Sequence, residues 1–141
     1  MRKRTCAREF ALQVLYELDI LRSDVSEALE DFWQNCDQDK KDEEVKTYTE
    51  ALVRGTMEKL EPIDKCIERF AENWTIERMA TIDRNILRLS TYEMLYRDDI
   101  PMKVSINEAV ELAKRYGEID SSKFVNGVLD KIAKNAPQCK Q

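Results

Sequence analysis

Three glycines and three prolines in 141 residues leave this chain almost without the residues that turn a backbone sharply. A β-sandwich needs a turn signal every ~8–12 residues, which this sequence does not supply. At 43% hydrophobic and 36% charged, it is also too apolar to stay disordered. Alanine, leucine, glutamate, lysine and arginine dominate, all good helix formers, and the length suits one compact all-α domain. Histidine is absent. That removes His-based triads, the usual imidazole base and most mixed zinc sites.

The hydrophobic spacing predicts seven helices and no strand. Ala7, Phe10, Ala11, Val14, Leu15, Leu18 and Leu21 follow the i, i+3, i+4, i+7 stripe of a first helix, capped by Thr5 and reaching about Arg22. Asp24 with Glu27 reads as a capping box for a second helix to about Asn35, and Cys36–Lys41 reads as a loop. A third helix spans about Asp42–Leu60, with Gly55 marking a close helix crossing. Pro62 suits the first turn of a fourth, with Ile63, Ile67, Phe70 and Trp74 on its inner side. The fifth begins between Thr75 and Thr81, reaches Tyr96 and is apolar nearly all round, so it should be the most buried. The sixth covers about Ser105–Tyr116, with Gly117 at its C′ position, and the seventh runs from near Asp120–Ser122 to before Pro137. Arg4, Arg8, Leu15, Tyr16, Asp19 and Ile20 recur eighty positions on as Arg84, Arg88, Leu95, Tyr96, Asp99 and Ile100. Two packed helical subdomains, roughly 1–73 and 74–141, would explain that echo; so would chance.

The net charge of −5 argues against a generally basic nucleic-acid binder, but the distribution is uneven. Arg2, Lys3, Arg4 and Arg8 open the chain without one acid among them. Residues 17–50 then carry twelve acids against four bases, a local net of −8. From Ser121 onward four lysines face only Asp130. Two partner surfaces or merely solvated helix faces both fit this pattern. No apolar run is long enough to span a bilayer, and the basic start leads into an amphipathic pattern instead of a signal peptide, so the cytoplasm is expected. The four cysteines form no CxxC pair, which points to free thiols and no metal site.

No GxxxxGK[ST], GxGxxG or GxSxG motif is present, so a non-enzyme without cofactor is the expectation. The first helix carries more information. Arg4 and Arg8 lie one turn apart, and the same ladder continues through Leu12 to Tyr16. Positive charge at a helix N-terminus opposes the macrodipole, so its presence there favours a role in binding. Guanidinium groups beside an aromatic ring are what single-stranded RNA binding uses.

Four stretches carry a family resemblance: Ala7-Arg8-Glu9 through Leu15-Tyr16, Asp83-Arg84-Asn85-Ile86-Leu87-Arg88-Leu89, Asn107-Glu108-Ala109-Val110-Glu111-Leu112-Ala113-Lys114, and Lys123-Phe124-Val125-Asn126-Gly127-Val128-Leu129-Asp130. Together they closely resemble the NusB family of bacterial transcription antitermination factors across essentially the whole chain. The part from about Asp24 to Asp42 matches poorly, and nothing is carried over there.

The resemblance implies a NusB-like fold of two helical subdomains. It implies binding of boxA RNA in nascent ribosomal RNA transcripts together with NusE, a ribosomal small-subunit protein, to help assemble the antitermination complex on RNA polymerase. Related domains fused to methyltransferases need a cofactor-binding domain for which 141 residues leave no room. Arg2, Lys3, Arg4 and Arg8 match the family's basic N-terminal motif and are the implied RNA contacts. Lys123, Phe124 and Asn126 match its second RNA-binding motif, although Phe124 also fits an ordinary core position. Asp120 precedes that motif, where a carboxylate caps the helix and repels an arriving phosphate. Tyr16 and Glu93 match positions near the NusE contact. Glu93 needs a partner in any case, whether NusE or an internal Arg88 or Arg97, because an unpaired buried carboxylate is strongly penalised. A self-pairing first helix would give a homodimer. The competing reading is a helical protein-binding scaffold without specific RNA recognition.

Overall fold

The computed structural model describes residues 2–36 and 42–136, Arg2 by its backbone alone, so the expected contact of the Arg2 side chain lies outside the described residues. Pro137, Cys139 and most of the loop expected at Cys36–Lys41 lie outside the described residues. Within them all regular structure is helical, and no helix is long and apolar enough to cross a membrane. The chain divides into two compact units between Glu58 and Lys59. The sequence pattern put a division near 73. The fourth helix goes with the second unit because it packs on the fifth and seventh helices.

The first unit holds α1 (Arg2–Leu21), α2 (Val25–Gln34) and α3 (Glu43–Glu58), with α1 packed on both others. Local signals start two of them. Asp24 accepts the Glu27 N–H at 3.2 Å, the expected cap of α2. Asp42 Oδ1 accepts the N–H groups of Glu44 (2.8 Å) and Val45 (3.4 Å) and caps α3. Phe10, Phe32 and Trp33 meet edge to face, with ring centroids 5.0–5.9 Å apart. Thr5 is not a cap, since α1 already runs from Arg2. Leu21, expected inward, is 68% exposed: it is the last residue of α1, and Arg22 turns the chain away at φ 55°.

The second unit holds α4 (Leu60–Phe70), a short 3-10 turn (Ile76–Arg78), α5 (Thr81–Tyr96), α6 (Met102–Tyr116) and α7 (Ser121–Lys134). As expected, α5 is central, packed on α4, α6 and α7, and only Tyr92 between Asn85 and Leu95 is not buried. Fully burying a leucine or isoleucine is worth about 1.5–3 kcal/mol. That gain offsets the charged residues α5 also buries. Arg88 is neutralised by a two-pronged pair to Asp64 of α4, at 2.8 and 2.9 Å. Helix α6 starts earlier than its apolar pattern suggested, directly after Pro101.

Two positions differ from expectation for instructive reasons. Trp74 is not on the inner side of α4. That helix ends at Phe70, and Asn73 adopts a left-handed backbone (φ 67°), which asparagine tolerates, turning Trp74 outward at 44% exposure. Gly117 closes α6 without the left-handed conformation of a C′ glycine (φ −94°). Its use is close approach: a Cβ there would meet Ser121 Cβ and Oγ at 2.6 Å and the Ala113 carbonyl at 2.8 Å. Among the described residues, Cys6, Cys36 and Cys66 are not joined in disulfides.

Candidate nucleic-acid interface

In the first unit the basic start of α1 lies against the start of α3. Lys3 Nζ sits 3.3 Å from Asp42 Oδ2 and 3.4 Å from Glu44 Oε1. The hydrogen bond to Asp42 raises the Lys3 pKa, and the same contact, with the Glu44 N–H, lowers that of Asp42. The Arg4 guanidinium stands 4.5 Å over the Tyr48 ring and Arg8 5.8 Å over the same ring. Arg4 is exposed, but Arg8 is 5% exposed and Leu12 3%. The ladder Arg4–Arg8–Leu12–Tyr16 is therefore not a continuous surface stripe. Its middle lies inward, where α1 packs on α3 and α2. The echo at offset eighty carried this signal, because Arg88, the counterpart of Arg8, is buried too.

Farther along α1, Tyr16 is 36% exposed and continues into Ile20 and Leu21, both open to solvent. This is an apolar end to a charged helix.

In the second unit α7 separates its sides cleanly. Val125, Val128, Leu129 and Ile132 are buried, whereas Lys123, Asn126 and Gly127, spaced three and four apart, are exposed on one side. Phe124 is partly buried and meets Trp74 edge on, with centroids 6.0 Å apart. Arg78 stands 5.8 Å over the outward ring of Trp74. The sequence reading placed Trp74 inward and did not single out Arg78, so it missed this exposed ring and cation beside Phe124. The signal was Asn73, a residue that accepts a left-handed turn, placed where the α4 stripe appeared to continue.

The start of α7 departs from the expected cap. Asp120 is the N-cap residue but its side chain makes no capping hydrogen bond. Ser121, 3% exposed, uses its Oγ to accept the Glu118 N–H at 2.9 Å. The half-buried Asp83 at the start of α5 takes a hydrogen bond from Ser121, yet its Oδ1 is buried without a partner. Burial, and to a lesser degree nearby Glu118, raises its pKa.

Glu93 is 2% exposed, and the Ser105 hydroxyl of α6 donates to its Oε1 at 2.6 Å. The sequence requires a partner for this carboxylate, and the fold supplies an internal donor, the Ser105 hydroxyl.

Comparison with known proteins follows the same lines. The model of the NusB family matches residues 5–134. Over 140 residues the chain is 45% identical to the transcription antitermination protein NusB of Thermodesulfovibrio yellowstonii, covering 94% of this chain and 92% of that one. The solved structure of T. maritima NusB superposes with a TM-score of 0.86 at 42% identity, covering 96% and 94%. NusB in a crystal structure of antitermination factors NusB and NusE with double-stranded RNA also gives 0.86, at 30% identity and 96% and 98% coverage.

Proposed function

The chain belongs to the NusB family, and from that premise we propose that it is an RNA-binding transcription antitermination factor acting without catalysis. Its ligand is boxA RNA of nascent ribosomal RNA transcripts, held together with NusE, and the pair helps assemble the antitermination complex on RNA polymerase. The observation that carries the RNA reading is the exposed Trp74 ring, edge to Phe124 and under the Arg78 guanidinium, beside the Lys123–Asn126 side of α7. An exposed tryptophan with a cation over it, next to a helix start that its Asp120 side chain leaves uncapped, offers stacking for a base and charge for a phosphate. Arg2, Lys3 and Arg4 add phosphate contacts at the other unit, with Arg8 behind them, and Asp120 sits where it tunes the approach of phosphate. Tyr16 with its apolar neighbours serves the protein partner, whereas Glu93, buried and bonded to Ser105, acts inside the fold instead of at that contact; the same end of α1 is the surface for a homodimer.

The test is a titration of a short boxA-type RNA, with a scrambled sequence as control, in the presence and absence of NusE. Trp74→Ala should weaken boxA binding by about 1–3 kcal/mol if one base stacks on the ring. Equal affinity for boxA, the scrambled RNA and an unrelated polyanion would refute the function.

A further inference from the structure

The acidic stretch that matches the family least ends at about Asp42, and Asp42 pairs with Lys3. Asp42 divides its two oxygens: Oδ1 caps α3, and Oδ2 reaches Lys3 Nζ. Glu44, two residues on, reaches the same ammonium. Two carboxylates thus sit where a phosphate would have to come to use Lys3. We propose that Asp42 and Glu44 are affinity-determining residues of the RNA interface, acting as an intramolecular competitor for the phosphate that Lys3 would otherwise bind. The inference rests on the reading of the N-terminal basic residues as RNA contacts.

Physical chemistry sets the sign and the size. A phosphate arriving at Lys3 must displace or share two carboxylates and meets their like charge, so both residues oppose it. All three side chains are well exposed, Glu44 at 77%, and exposed ion pairs are weak and screened by salt. The competitor therefore attenuates binding without closing the site.

The experiment measures binding of a boxA-type RNA oligonucleotide by the full chain across a salt series. Glu44→Gln removes one charge and leaves the α3 cap in place; Asp42→Asn removes the other and keeps the capping oxygen. Each should tighten binding by about twofold to fivefold at low salt, with the gain fading as salt rises. The salt slope should steepen by up to about 0.7, one more phosphate on a single strand. In a Lys3→Ala background both gains should vanish. Unchanged affinity in the single variants overturns the proposal, and so does a gain that persists without Lys3, which would mark a general field effect. If Lys3→Ala binds as tightly as the unaltered chain, the reading of the N-terminal contacts falls as well; if it binds more weakly while the acid variants change nothing, only the competitor fails.

Discussion

Gly127 separates the demands of folding from those of binding, and one methyl group tests both. It lies in the second turn of α7, on the exposed side with Lys123 and Asn126. An added Cβ meets no atom within 4 Å, and no glycine has a positive φ, so alanine fits without strain. Glycine inside a helix costs about 0.5–1 kcal/mol relative to alanine. Gly127→Ala should recover that amount, which for a chain of this size raises Tm by about 2–4 °C. If RNA lies on this side of α7, the methyl instead forces it off the backbone. Overpacking of a close contact costs about 1–3 kcal/mol, hence a loss of roughly fivefold to 150-fold in RNA affinity. Thermal melting followed by circular dichroism reads the first effect and fluorescence anisotropy of labelled RNA reads the second. A more stable variant that binds RNA normally would show that RNA does not approach α7 at this turn. A variant with an unchanged or lower Tm would refute the helix argument itself.

Two further outcomes follow from buried carboxyl groups. Ser105→Ala removes the donor to Glu93 with little change of volume and should destabilise the fold by about 1.5–3 kcal/mol in urea titration, the worth of a hydrogen bond to a charged group; an unchanged midpoint would mean the bond contributes nothing. Asp83 has its pKa raised by burial and by Glu118, so its protonated form suits the fold, and its contribution is lost as pH rises through that raised value. Asp83→Asn should therefore raise Tm by about 1–3 °C at pH 7, with the gain shrinking as pH falls into the carboxylate range. A gain that does not depend on pH would assign the effect to something other than charge.

Much of this protein was determined by rules that act within four or five residues. The 3.6-residue stripe, the Asp24 cap and the near-uniform apolarity of α5 set the helix order and the most buried helix, because helical hydrogen bonding and capping are local. The resemblance to NusB rested on contiguous runs and needed no tertiary information. Side-chain fate at the helix ends was different. Arg4 and Arg8 are equivalent in a helical pattern, yet only Arg4 is exposed, because Arg8 lies farther along α1, where that helix packs on α3. Trp74 continued the α4 stripe in sequence, but the turn at Asn73 sent it out to meet Phe124, fifty positions away. Glu93 had to find a partner, and only the packing of α6 on α5 chose Ser105. Lys3 likewise met Asp42 and Glu44 only once α1 lay against α3. Periodicity states which side of a helix is apolar. What stands opposite each polar side chain depends on contacts between residues far apart in the chain, and these form only in the tertiary fold.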